Sequence, residues 1–178
     1  ELTRGDAARC RSLADRVIEI ARDRGALATE QQFRKNRLLA LCAVEGNAAM
    51  AIAEARSLLR TRVNPRVREH AESQLVVALA ELGRDDEAVE VIAATAVDAA
   101  PDPTARAMLL YAQAESDWHA GRFDDAVAAA AQCRALPIGD FPARVLAEPL
   151  RQWAAVEHGG DPGEPLTRPG FENLAAAS

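Results

Sequence analysis

Apolar residues recur at three- and four-residue spacing along most of the chain, the pattern typical of amphipathic α-helices. The first apolar run ends at Asp23, shortly before Gly25, which is expected to stop the helix. Its apolar positions are Leu13, Val17, Ile18 and Ile20. Later runs are separated by short turn signals, so the pattern predicts a series of helices without strands.

Residue types that favour helix starts mark where the later helices begin. Thr29 and Gln32 have capping-box spacing, which predicts a helix that starts at Thr29. Asn64-Pro65 and Asp102-Pro103 each place a capping side chain before a proline, whose missing N–H needs no partner in the first turn. Pro149 falls inside the last apolar run, where we expect it to kink or break the helix.

A seven-residue segment occurs twice, first as Gly83–Val89 and again, thirty-eight positions later, as Gly121–Val127. Glycine can end a helix in a left-handed conformation, and acidic residues favour the start of the next helix, so each copy predicts the turn of a helical hairpin. Weaker copies at Gly5, Gly46 and Gly160 extend the series, with steps of thirty-seven to forty-one positions.

This repeat predicts the architecture. One amphipathic helix pair cannot bury its own apolar face, so neighbouring pairs must stack. We therefore expect an all-α fold, a right-handed superhelix of roughly four stacked antiparallel helix pairs with a concave inner wall. Residues 1–158 are expected to form this repeat domain. Residues 159–178, rich in glycine and proline, are expected to be a turn and a frayed C-terminal segment or a domain boundary.

The composition agrees with close-packed helices and limits the partners. Aromatic residues make up only 4% of the chain, and alanine dominates the apolar residues. The net charge of −6 argues against direct nucleic-acid binding, which needs a basic surface. The charge is uneven, net +5 over residues 1–70 and −11 over residues 71–178, so the two ends are expected to meet different neighbours.

Cysteine usage and hydropathy bear on location. Cys10, Cys42 and Cys133 are odd in number and widely spaced, which favours a reducing, cytoplasmic compartment over a disulfide framework. The sequence has no signal peptide and no apolar run long enough to cross a bilayer, so no membrane association is expected. Because the chain begins with Glu1 rather than Met, we expect it to be a piece of a larger protein.

The best-preserved repeat resembles a tetratricopeptide repeat. The resemblance rests on the segment 109–115 and on Trp118, Gly121, Phe123, Ala126 and Ala130. Because the repeats are long and rich in alanine, the chain is also similar to the helical domain of LuxR or MalT-like bacterial transcriptional regulators. That resemblance implies a domain that senses an inducer or a partner and relays the signal to a neighbouring ATPase. HEAT-like helical repeats are the structural alternative.

The tetratricopeptide register places one helix of each pair on the concave wall. Asn36, Ser73 and Tyr111 are equivalent positions in it, separated by steps of thirty-seven and thirty-eight positions. The resemblance implies that these side chains line a groove for a protein, a peptide or a small-molecule effector. The predicted groove residues are Phe33, Asn36, Ala40, His70, Ser73, Val77, Met108, Tyr111, Glu115 and Trp118. The alternative is that Tyr111 and Trp118 fill the seam to the next repeat.

Arginines cluster around the Asn64-Pro65 turn and form a candidate site for an anionic partner or for a neighbouring domain. They are Arg56, Arg60, Arg62, Arg66 and Arg68. A solvated edge with balanced charge is the alternative interpretation.

No catalytic group emerges from the sequence. Asp85-Asp86 and Asp124-Asp125 recur at one repeat position, so charge at a helix start explains them better than acid–base catalysis. The histidines lack a second ligand at metal-binding spacing, and the cysteines are expected to pack between helices. We therefore predict a non-enzymatic interaction domain that needs no metal or cofactor and senses or scaffolds within a transcriptional regulator. The alternatives are a free-standing adaptor that bridges two proteins and, less favoured, an enzyme.

Overall fold

The structure is a computed structural model, and it describes residues 7–43, 47–95, 103–139 and 142–159. These residues form eight α-helices and no strand, as the apolar pattern predicts. The helices are α1 Ala7–Asp23, α2 Leu27–Ala43, α3 Ala48–Leu59, α4 Pro65–Glu81, α5 Asp85–Thr95, α6 Pro103–His119, α7 Phe123–Ala135 and α8 Pro142–Glu157. In the described part of the chain, no helix is long and apolar enough to cross a membrane.

Glycines in the left-handed conformation end four helices. Gly83 and Gly121, the two predicted turns, have φ angles of 66° and 73°. The residue after each donates its N–H to a carbonyl five residues earlier, at 2.9 Å from Arg84 and 2.8 Å from Arg122, which closes the last turn of α4 and α6. Gly159 follows Gly121 at the same step that separates Gly121 from Gly83, and it has a φ of 80°.

Gly159 therefore also continues the series at the repeat interval. Gly160, Gly46 and Gly5, the other three predicted turn glycines, lie outside the described residues. So does nearly all of the predicted C-terminal segment, residues 160–178. Gly25, with a φ of 63°, ends α1 in the same way.

The predicted helix starts are correct in α4 and wrong in α2. Asn64 accepts a hydrogen bond from the Val67 N–H at 2.9 Å, and Pro65 is the first residue of α4. Helix α2 begins at Leu27, before Thr29, because the turn at Gly25 leads directly into helical hydrogen bonding. The capping-box prediction therefore fails there. Pro149 lies within α8, which runs unbroken from Pro142 to Glu157.

The helices contact one another in a regular order. Each helix packs against the helices before and after it in the chain, and α2, α4, α6 and α8 also contact each other in succession. These four even-numbered helices therefore form one row, which we call the even row. Many of the residues at the helix contacts are alanines, including Ala55, Ala78 and Ala130, each fully buried, so helix backbones can approach closely.

Two hydrophobic clusters make up the core. One lies between α2, α3, α4 and α5 around Leu38, Leu58 and Leu79, and the other joins α6, α7 and α8 around Leu110 and Cys133. Helix α1 covers the start of the row with Ala14 and Ile18. Two of its predicted inward residues are instead exposed, Leu13 at 42% and Ile20 at 49%.

Candidate binding surface

The predicted groove residues recur along the even row at a constant step. Equivalent positions in α4, α6 and α8 are thirty-eight residues apart, the interval that also separates Gly83 from Gly121. The equivalent sets are His70, Ser73 and Val77 in α4, Met108, Tyr111 and Glu115 in α6, and Leu146, Pro149 and Trp153 in α8.

Lys35, Leu39 and Cys42 are among the α2 side chains that meet the rest of the row. The Cys42 thiol donates to the Gln74 carbonyl of α4 at 3.6 Å, and Leu39 packs against the cluster built by α6, α7 and α8. Lys35 precedes Ser73 by the repeat interval, so the same step holds in α2. Phe33 and Asn36, the predicted positions, are partly buried, and Ala40 is fully buried.

The side chains in the middle of the row are buried or partly buried. Ser73 is fully buried, and its hydroxyl donates to the His70 carbonyl at 2.9 Å. Met108 is only 8% exposed. The Tyr111 hydroxyl donates to Glu115 Oε1 at 2.7 Å. Tyr111 also packs, partly buried, against the cluster of α6, α7 and α8, which agrees with the alternative interpretation of this residue.

Burial shifts the pKa values of the groups in this seam. It raises the pKa of Tyr111, with Glu115 adding to the effect, and it raises the pKa of Glu115 against the opposing hydrogen bond from Tyr111. Burial, followed by the carboxylates of Glu81 and Glu115, raises the pKa of Cys42 to about 12. A thiol with this pKa stays protonated and is a poor nucleophile, as expected for a packing residue.

A basic group of side chains lies where α2 meets α4. The Gln31 side chain donates to the Arg62 carbonyl at 2.8 Å. Burial, followed by the charge of Arg66, lowers the pKa of Lys35, one turn after Gln31 in α2. Burial, followed by the charges of Lys35 and Arg66, lowers the pKa of His70 to about 3, so its imidazole is neutral. Its Nε2 is buried and has no hydrogen-bond partner among the described residues.

The row is open at α8. Leu146, Trp153 and Val156 are 38%, 59% and 53% exposed, an unusual set of large apolar side chains on one helix face. The Trp153 ring lies 6.1 Å from the ring of Trp118, measured between centroids. We call this surface, formed by Trp118, Leu146, Trp153 and Val156, the α8 face.

A recess of about 230 Å³ adjoins the α8 face. Its lining residues are Trp118, His119, Phe123 and Glu157. The rings of Trp118 and His119 lie 4.9 Å apart, tilted by 59°, so they form a corner rather than a stack. Of the predicted groove residues, only Trp118 belongs to this site. Two signals in the sequence point to the other residues. Trp153 lies one repeat interval after Glu115, and Phe123 belongs to the Gly-Arg-Phe turn.

The arginine patch is partly neutralised by neighbouring acids. All five arginines are exposed. Arg56 pairs with Glu87 of α5 at 2.5 Å, and Arg68 pairs with Glu72 at 3.5 Å. A solvated, balanced edge therefore describes Arg56 and Arg68 better than a dedicated anion site does.

Features typical of an active site are weak among the described residues. No group of His, Cys, Asp and Glu there could hold a metal ion. Cys133 is fully buried and donates to the Ala107 carbonyl at 3.3 Å. Asp85 and Asp86 lie in the first turn of α5, and Asp124 and Asp125 in that of α7, as the charge interpretation predicts.

The comparisons with known proteins add no relative. No protein-family model, no curated protein and no solved structure matches the chain.

Proposed function

We propose that this chain is a non-enzymatic helical-repeat domain that captures a protein, a peptide or a small effector at the α8 face. In this proposal the eight helices form a tetratricopeptide-like solenoid of four pairs. The domain acts as the sensing or scaffolding part of a larger bacterial transcriptional regulator, as its resemblance to LuxR or MalT-like regulators implies. Nucleic acid and membrane are not its partners.

One observation carries the proposal. Equivalent positions of the even row are buried or partly buried in α4 and α6, whereas two of them in α8, Leu146 and Trp153, are exposed. An exposed apolar surface is costly to maintain in water unless something covers it, and a buried aromatic side chain is a common anchor of binding interfaces. The α8 face therefore has the composition of a binding surface, whereas the middle of the row has that of a core.

The regular contacts of the even row support a relay of the binding signal. Because each even-numbered helix packs on the next, a change at α8 alters α6 and then α4. A bound partner that shifts α8 against α6 would thereby change the pitch of the whole row. The contacts at the far end, between α1, α2 and α3, would receive that change.

The test is partner capture by folded variants. The domain is incubated with lysate from its source organism and analysed by native mass spectrometry as wild type, as Trp153→Ala and as Val89→Ala. Val89 of α5 is 45% exposed and lies outside the α8 face, so it is a matched apolar control. We expect Trp153→Ala to lose the bound species and Val89→Ala to retain it. Equal retention by both variants, with unchanged circular dichroism, would remove the α8 face from the proposal.

The second candidate is an adaptor that bridges two proteins. It is favoured by a second exposed apolar surface at the opposite end, where α1 carries Leu13 and Ile20. An adaptor should form a ternary complex that loses one partner in Leu13→Ser and the other in Trp153→Ala. Loss of the same single partner in both variants would exclude bridging.

A further inference from the structure

Three of the four residues that line the recess beside the α8 face are aromatic. Trp118 and Phe123 are partly buried, and the His119 ring stands against Trp118 at 4.9 Å. Aromatic rings present negative charge on their faces and attract cations that lie within about 6 Å of the ring centre. A corner of tilted rings can offer more than one face to a single bound group.

The acidic side chains at and near the recess are negatively charged, like the faces of its aromatic rings. Glu157 lines the recess, is exposed, and has no ion pair or hydrogen bond within the described ranges. Asp124 and Asp125 stand exposed at the start of α7, next to Phe123.

Two nearby basic groups, Arg122 and His158, lie against acidic side chains of the protein. Arg122 donates to Asp117 through its Nε at 2.9 Å, so its charge is balanced within the protein. The His158 imidazole lies 3.4 Å from Asp124 and carries charge only when it is protonated. The recess therefore combines aromatic faces with the carboxylate of Glu157, which has no ion pair among the described residues.

We propose that the recess binds an alkylammonium group, with Trp118 and Phe123 as its aromatic walls and Glu157 as its counter-charge. This inference rests on the proposed function, because it names the ligand class taken at the edge of the α8 face. A volume of about 230 Å³ suits a compact headgroup better than a drug-sized ligand, whose pockets start at about 300 Å³. The group is carried by a free small cation or by a lysine side chain of a partner peptide, and the experiment separates these two sources.

The experiment uses the protein's own fluorescence. Trp118 and Trp153 are the chain's two tryptophans, so every change in tryptophan emission reports on this corner. The probes are choline and its neutral isostere 3,3-dimethylbutan-1-ol, which share shape and differ in charge. Two further probes, a trimethyllysine peptide and the same peptide with norleucine, represent the polypeptide source.

We expect saturable binding of a cation, at least about tenfold tighter than of its neutral counterpart, in line with a cation–π contact plus a carboxylate. Preference for choline identifies a free cation, and preference for the trimethyllysine peptide identifies a partner side chain. Glu157→Gln should weaken binding of the preferred cation about three- to tenfold. Glu90→Gln, which changes an exposed carboxylate of α5, should leave it unchanged.

Equal binding of cation and neutral isostere, or no saturable response to any probe, overturns the inference. The failure of the inference and that of the proposed function are distinguishable. If cations fail but Trp153→Ala still abolishes partner capture, the α8 face stands without its cation site. If cations bind as expected while Trp153→Ala retains its partner, the recess stands and the α8 face is not the capture surface.

Discussion

Arg34 and Glu54 join α2 to α3 through a nearly buried ion pair, with Arg34 Nε 2.7 Å from Glu54 Oε1 and the two side chains 8% and 13% exposed. The other oxygen of Glu54 accepts from Arg37 at 2.6 Å, and Arg37 also donates to Asp15 of α1 at 2.8 Å. Ser57 accepts a second hydrogen bond from Arg34 at 2.9 Å. Glu54 thus joins α3 to α2 directly, and Arg37 extends the network to Asp15 of α1.

Glu54→Gln should therefore destabilise the domain strongly. The substitution leaves the Arg34 charge buried without a counter-charge, which typically costs about 3 to 5 kcal/mol. The double variant Arg34→Met with Glu54→Leu should recover much of that loss, because an apolar pair of similar size needs no counter-charge. Urea unfolding measures both. A Glu54→Gln variant as stable as wild type would show that this network contributes little.

His70 should make the domain lose stability in acid. Its folded pKa of about 3 lies below the ordinary value of 6.5, so the unfolded chain binds a proton that the folded chain refuses. Stability from this group is complete above pH 6.5 and falls as the pH drops towards 3, by on the order of 2 to 3 kcal/mol at pH 4.5.

The measurement compares His70→Leu with wild type in urea at pH 7 and pH 4.5. The variant should lose less stability than wild type between the two values, since leucine does not titrate. Other groups titrate equally in both proteins and cancel in the comparison. Parallel losses in the two proteins would mean that His70 is protonated in the folded state.

Gly121→Ala should destabilise the turn between α6 and α7. The φ of 73° is a conformation that alanine rarely adopts, and no atom within 4 Å would meet the added methyl group, so the cost lies in the backbone alone. We expect a loss of about 1 kcal/mol in thermal or urea unfolding, and a smaller loss for Gly121→Asn, because asparagine tolerates this conformation better. Alanine and asparagine variants of equal stability would contradict the backbone explanation.

Tyr111→Phe should reduce stability without reducing partner capture. The change deletes the hydroxyl that donates to Glu115 and leaves that buried carboxylate without this donor, at a cost of roughly 1 to 3 kcal/mol. Because Tyr111 lies in the partly buried middle of the even row and outside the α8 face, partner capture should be unaffected. Loss of capture in a variant that remains folded would restore the groove prediction for Tyr111.

The local signals of the sequence were most reliable where a residue acts through its own backbone. Gly83 and Gly121 take the left-handed conformation that ends a helix, and Asn64-Pro65 caps α4, because these effects need no distant partner. The capping prediction at Thr29 fails because a neighbouring turn decides where α2 begins. The turn at Gly25 starts the helix earlier, so a favourable capping sequence remains within α2.

The candidate site was harder to predict because exposure depends on neighbouring helices. Ser73 and Trp153 occupy related faces of their helices, yet one is fully buried and the other 59% exposed. The repeat spacing shows which positions are equivalent but not which of them another helix covers. The ion pair of Arg34 with Glu54 also escaped prediction, since its partners lie far apart in the sequence without a local pattern.

Cys42 and Cys133 belong to different hydrophobic clusters, so their reactivity can report on the opening of each cluster separately. Cys42 packs against the cluster of α2 to α5, and Cys133 lies inside that of α6 to α8. Cys133 is buried and Cys42 partly buried, so the rate at which a thiol reagent modifies each, relative to its rate in the unfolded chain, reports how readily its own cluster opens. Equal relative rates would mean that the row opens as one unit, and unequal relative rates would mean that half of the helices can come apart while the other half stays intact.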